Sequence, residues 1–298
     1  MGKTLPKKLR VKWDALIETE GKKLGLENCR PFLENKMVND IFYTGLYNDI
    51  PCVVKCSSRA PKSIVNEYEM SLRLHSCNPC SCAKPLSMYV SKDGRMAFVV
   101  FERLSGPSLS ELIERKFNND KALMTRVAED MLRIARALNE ADIVWRDIFS
   151  DNFMMGEDGH IRLIDAQFAV ARKDFKEAPY LVKHWKYRIS VFAHNESLNG
   201  HGWNDVHMML YCLRHLPALP QIESIRKELA ELMPSMLLVV ETSVADVLRA
   251  CIFLCELYVR LLFSRRTSKR SQLRKRVERV RRYLRGCSLR AVSTDGPS

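Results

Sequence analysis

No stretch of this chain approaches the roughly 20 uncharged residues that a membrane-spanning helix needs. The best candidate, 232–263, is interrupted by Glu241, Asp246, Arg249, Glu256 and Arg260. The opening MGKTLPKKLRVKWD is basic but lacks the apolar core of a secretory signal. The expected location is therefore cytoplasmic, where the 10 cysteines are expected as thiols rather than disulfides. Glycine and proline number only 12 each in 298 residues, which excludes collagen-like and low-complexity chains. No internal repeat is visible, so a solenoid is excluded as well. Acidic residues are scarce at one end: residues 260–298 hold thirteen Lys/Arg against two Asp/Glu, while the whole chain carries a net charge of +13.

The sequence therefore has a near-neutral body and a strongly basic C-terminal segment. Phosphate-bearing partners suit such a segment. Leu273, Val277, Val280 and Leu284 fall at helical spacing within it, with Lys and Arg on the other faces. That pattern is a basic amphipathic helix, either lying on an anionic membrane surface or packed as a terminal helix on the body. Apart from Tyr283 the tail lacks interleaved aromatics, which speaks against nucleic acid.

With 46% hydrophobic residues the body can bury a core. Residues 1–30 read as a basic, partly helical lead-in. From Phe32 to Ser58, β-branched and aromatic residues with Asn-Asp turn signals predict three short antiparallel strands. SIVNEYEMSLRLH (63–75) has a helical apolar pattern, 76–85 reads as a loop, and MAFVVFE (96–102) as a buried strand. From Ser108 onward helices dominate, interrupted by short strands around Phe153–Met155 and Ile161–Ile164. The expected fold class is α+β, with strands and helices segregated into two lobes.

The chemistry concentrates in IVWRDIFSDNFMM (143–155) and IRLIDAQFAV (161–170). Asp147, Asn152 and Asp165 each stand among apolar residues, where an unpaired carboxylate is expensive unless it binds something. Such a sparse set of hard oxygen donors suits Mg²⁺, which keeps its waters and takes few protein carboxylates.

WRDIFSDN resembles the catalytic loop H-R-D-x-x-x-x-N of the protein-kinase-like superfamily, and IDAQ resembles its metal-binding D-F-G segment. CVVK (52–55) looks like the lysine strand, with Glu67 as the partner of Lys55 and Glu69 as the second choice. VVFERLSGPSLSELI (99–113) looks like the hinge, with Glu102 to Leu104 offering backbone groups to adenine. NDVHMMLYCL (204–213) resembles the helix whose acid, here Asp205, braces the catalytic loop. The resemblance spans about residues 33–215 and implies a bilobal protein-kinase-like fold, with an N-lobe and lead-in at 1–104, a helical lobe at 105–259 and the basic tail at 260–298. It also implies use of ATP and Mg²⁺. Asp147, kept beside Arg146, would accept the acceptor proton, Asn152 and Asp165 would hold Mg²⁺, and Lys55 with Glu67 would orient the phosphates.

Several positions depart from the pattern. Trp145 replaces the usual His, Ala166-Gln167 replaces the Phe and Gly of D-F-G, and Phe149 stands where protein kinases carry a lysine. Only Gly45 remains of a glycine-rich loop. In feel the chain is similar to bacterial lipopolysaccharide-core sugar kinases, which implies a saccharide or glycolipid acceptor, such as a heptose or octulosonic acid, met at the inner face of the inner membrane. A divergent Ser/Thr protein kinase and a pseudokinase scaffold that binds an anionic partner through its tail are the alternatives. His75, Cys77, Cys80 and Cys82 read as a loop with free thiols rather than a zinc knuckle, since no second C-x-x-C follows.

Overall fold

The computed structural model describes residues 7–35, 40–58, 61–174, 202–236, 238–239 and 244–263, and beyond these 270–271, 273–278, 280–281 and 284. The lead-in folds as helix α1 (Lys7–Leu16), continued by a wider turn at Ile17–Gly21. Five antiparallel strands follow: β1 (Leu26–Asn35), β2 (Asp40–Tyr47), β3 (Ile50–Ser57), β4 (Pro85–Val90) and β5 (Ala97–Glu102). Their order across the sheet is β1-β2-β3-β5-β4.

Two of these strands differ from the sequence expectation. β1 begins six residues earlier than Phe32, inside the stretch read as lead-in, because Asn28 at φ 54 and a register shift between Glu27 and Arg30 break the alternation that marks a strand. β4 opens on Pro85 at the edge of the sheet, the position where a strand tolerates a missing N–H.

Side chains of a strand alternate between faces, and this alternation places the site. Cys52, Val54 and Cys56 of β3, with Phe98 and Val100 of β5, pack against Trp13 and Ile17 of the N-terminal segment. The odd-numbered partners Ala97 and Val99 face the other way, against Ile64 of helix α2 (Pro61–Cys77). Lys55 falls between Val54 and Cys56 and is thereby aimed at α2.

The helical lobe contains α3 (Leu109–Glu114), α4 (Lys121–Glu140), α5 (Asp205–Leu213) and α6 (Pro220–Leu232). Helix α3 starts in a capping box, with Ser108 accepting from the Glu111 N–H and Glu111 accepting in return from the Ser108 N–H. Helix α4 is capped by Asp120 and buries Val127, Met131, Ile134 and Leu138 along one face. Four short strands follow, β6 (Ile143–Val144), β7 (Phe153–Met155), β8 (Ile161–Leu163) and β9 (Val170–Ala171), of which β6 and β8 lie against α4. Pairing of β7 with β8 and of β6 with β9 brackets the two polar motifs between fixed ends. A pair of two-residue strands, β10 (Gly202–Trp203) and β11 (Leu238–Val239), closes near α5.

Helix α7 (Val244–Leu262) runs across the expected boundary at 259, and the described tail residues from 270 are helical as well. The tail's apolar stripe, Leu273, Val277 and Val280, is buried against α7 at Leu257, with Phe253, Leu254, Tyr258, Leu261 and Leu284 around it. The stripe is thus covered by this chain's own helix. Tyr283 lies outside the described residues. Among the described residues no helix is long and apolar enough to cross a membrane. The architecture is α+β, a five-stranded lobe with one crossing helix and a helical lobe, which is the bilobal protein-kinase-like fold.

Candidate active site

Lys55 is the centre of the site. Its Nζ lies 2.8 Å from Glu67 Oε2 and 2.8 Å from Asp165 Oδ1, so one ammonium joins the sheet, α2 and the segment after β8. Glu67 is 1% exposed and Lys55 6%, whereas Glu69 points to solvent, so Glu67 is the partner. Burial alone pulls the Lys55 pKa down. The Asp165 and Glu67 carboxylates more than reverse that and raise it above the ordinary lysine value, so the ammonium stays charged.

Asp147 and Asn152 form the second half. Asn152 donates its side-chain amide to both the Asp147 backbone oxygen and Asp147 Oδ2, each at 2.9 Å. Its own carbonyl accepts from the Ile164 N–H at 2.9 Å, which seats Asp165 beside it. Burial, and next the Asp165 carboxylate, push the Asp147 carboxyl up to about 7, against the lowering effects of Asn152 and Lys55. Near neutral pH Asp147 is thus poised between acid and base.

The loop carrying Asp147 is held from below. Asp205 is 1% exposed and accepts the Trp145 N–H at 2.7 Å and the Arg146 N–H at 3.0 Å. Arg146 in turn donates its Nε to the Phe168 carbonyl at 2.6 Å. It therefore braces the segment after Asp165. Arg146 (φ 67) and Asp165 (φ 65) both occupy the left-handed backbone region, unusual for residues with a Cβ, and such outliers gather at functional sites. Trp145, at the usual His position, is fully buried in the helical-lobe core.

Two groups of residues fall away from this cluster. Glu102 ends β5 with its N–H donating to the Lys84 carbonyl and its carboxylate accepting the Lys84 N–H, and the Arg103 N–H donates to Pro51. These donors are spent inside the fold, whereas the Leu104 N–H donates to no backbone carbonyl among the described residues. Gly45 is not part of a phosphate lid. It sits within β2 opposite Cys52, and a Cβ there would come within 2.7 Å of the Glu27 carbonyl, so this glycine permits close approach of β1. The turn between β1 and β2 lies outside the described residues. Cys82 is buried and donates to the Ser71 carbonyl, while Cys77 and Cys80 are exposed thiols.

Among the described residues no group of three or more His, Cys, Asp or Glu side chains forms a metal cage. Asp165 and Asn152 instead offer a carboxylate and an amide beside the raised Asp147 carboxyl. This fits an ion held mainly by waters and by a ligand's phosphates, as Mg²⁺ prefers.

Sequence reasoning missed two contacts. Asn66 Nδ2 donates to the Ala169 carbonyl at 2.8 Å, and Ser63 Oγ lies 3.4 Å from the Gln167 carbonyl. Polar Asn within an amphipathic helix was the available signal, since Asn is a poor interior helix former.

No family model matches the chain. It is 28% identical over 195 residues to casein kinase I homolog 1 of Saccharomyces cerevisiae, covering 58% of this chain and 35% of that protein. Casein kinase I homolog 2 of the same yeast is 26% identical over 166 residues, covering 53% of this chain and 30% of that protein. A probable serine/threonine-protein kinase of Dictyostelium discoideum is 25% identical over 147 residues, covering 49% and 31%. The chain spans about a third of the length of these curated relatives. The fold is that of the protein-kinase-like superfamily, and the sequence matches support the same superfamily.

Proposed function

We propose that this chain is an ATP- and Mg²⁺-dependent phosphotransferase, and that its acceptor is a serine or threonine hydroxyl of a protein. The observation that carries the reading is the pairing of Lys55 with both Glu67 and Asp165, beside the hydrogen-bonded Asp147 and Asn152. Phosphoryl transfer asks the protein mainly for positioning and charge neutralisation, and this cluster offers both. The protein acceptor rests on the relatives, which are named as casein kinase I homologs and a serine/threonine-protein kinase. They lend no support to the lipopolysaccharide-sugar acceptor.

In this reading Lys55, held by Glu67, binds the nucleotide's α- and β-phosphates. Asn152 and Asp165 hold Mg²⁺, which neutralises charge on the phosphates when bound. The acceptor oxygen bonds to the γ-phosphorus, the bond to the β-bridging oxygen breaks, and the hydroxyl proton passes to Asp147. Adenine is met by the hinge backbone at Leu104.

The test is Mg²⁺-dependent ATP consumption by wild type, Asp147→Ala and Asp165→Ala, with a generic protein and a deacylated lipopolysaccharide core offered separately. Label on the protein, lost in both variants, supports the proposal. Label on the saccharide replaces the acceptor. No turnover and no thermal shift with Mg·ATP in wild type leaves a scaffold that binds through its basic tail.

A further inference from the structure

Helix α2 has to stay seated for Glu67 to reach Lys55. Ala166, directly after Asp165, is fully buried in the helical-lobe core and offers a single methyl group. Leu74 and Met70 of α2 make the apolar contact with that core. Polar groups reach the segment after Asp165. Ser63, Asn66 and Glu67 lie three and four residues apart, which places them on one face of α2. Glu67 reaches Lys55, Asn66 reaches the Ala169 carbonyl, and Ser63 lies near the Gln167 carbonyl.

The carbonyls on the receiving side are themselves fixed. The Ala169 N–H donates to the Ala166 carbonyl at 2.9 Å, forming a tight turn after Asp165. The Phe168 carbonyl accepts from Arg146, whose own N–H donates to Asp205. Val170 then pairs with Val144, just before the catalytic loop. Asn66 thus connects α2 to a turn that is already tied to Asp147's loop.

We propose that Asn66 is a positioning residue for the site: its hydrogen bond to the Ala169 carbonyl latches α2 to the segment after Asp165 and so holds Glu67 against Lys55. The inference rests on the phosphotransferase reading for its effect on turnover, but the latch itself is a property of the fold. The Asn66 side chain is spent on the Ala169 carbonyl of this chain. It acts through Glu67, and its loss has no route to turnover once Glu67 is disabled.

The experiment is a double-mutant cycle of Asn66→Ala and Glu67→Gln, read as kcat/KM for Mg·ATP, with hydrogen exchange on the same four proteins. Loss of one positioning hydrogen bond is expected to lower kcat/KM by about tenfold in Asn66→Ala. In the Glu67→Gln background the same substitution is expected to change it by less than about twofold. Independent, multiplying effects overturn the proposal, because a merely structural role would weaken both backgrounds alike. Exchange is expected to rise in Asn66→Ala over residues 61–70 and 166–170, with α4 unchanged. Unchanged exchange in those two segments overturns the latch even if wild type shows no turnover. A wild type without turnover but with the expected exchange pattern retires the phosphotransferase reading and leaves the latch standing.

Discussion

Asp205 accepts the N–H groups of both Trp145 and Arg146 at 2.7 and 3.0 Å, so one buried carboxylate on α5 fixes the backbone of a loop 59 and 60 residues earlier. Asp205→Ala strands two buried donors, each costing about 1–3 kcal/mol when unsatisfied. The variant is expected to be less stable by about 2–4 kcal/mol in urea denaturation, with loss of turnover. A midpoint within error of wild type would show that the loop stands without this brace.

Lys55 is the shared counter-ion of two carboxylates, one of them almost wholly buried. Removing it in Lys55→Met leaves Glu67 uncompensated, a loss on the order of 3–5 kcal/mol for a buried pair broken on one side. Thermal denaturation is expected to show the drop, and Lys55→Met combined with Glu67→Leu is expected to regain part of it while remaining inactive. Equal stability of the single and double variants contradicts this account.

The raised Asp147 carboxyl has two pH signatures. A base must be ionised, so kcat/KM, which reports the free enzyme, is expected to climb as pH rises through about 7. Asp147→Asn is expected to lower kcat by about 10²–10⁴ and to flatten the profile. For stability the sign is opposite. A carboxyl whose folded pKa exceeds its unfolded value stabilises fully below the ordinary value of 3.8, and that contribution is lost as pH rises to about 7. Without nucleotide and metal, wild type is therefore expected to lose stability relative to Asp147→Asn between these pH values. Parallel stability curves would remove Asp147 as the titrating group.

Trp13 is fully buried although it lies in a stretch that reads as a lead-in. Trp13→Ala opens a cavity against Ile41, Val54 and Phe98, and large aromatic truncations cost about 3–5 kcal/mol. A change in melting temperature of less than a degree would mean that α1 is dispensable to the sheet.

The legible parts of the sequence were those where pattern and chemistry coincide. The 3.6-residue stripe of α4 and the β-branched, apolar runs of β3 and β5 are strong local signals, and the structure follows them. Asp147, Asn152 and Asp165 stand out in the sequence because each interrupts an apolar run, where a buried polar group needs a partner. β1 was not legible in full: Asn28 and Pro31 sit in a bulged strand whose pairing is set by β2, a contact that local pattern does not encode. The burial of the tail's stripe was open for a similar reason, since an amphipathic helix looks the same whether lipid or α7 covers it. The role of Asn66 needed the geometry, because its acceptor is a backbone carbonyl 103 residues away.

The Lys55–Asp165 contact spans 110 residues of chain. Loop closure of that length must be completed before the contact gives anything back, and non-local contacts of this kind slow folding. The site is therefore expected to assemble late, after each lobe has collapsed on its own core. In kinetic terms, substitutions at Asn66 and Lys55 are expected to speed unfolding while leaving the refolding rate nearly unchanged, as for groups whose contacts are absent from the transition state. Stopped-flow refolding of Asn66→Ala that is slowed in proportion to its lost stability would place the lobe contact in the folding nucleus instead.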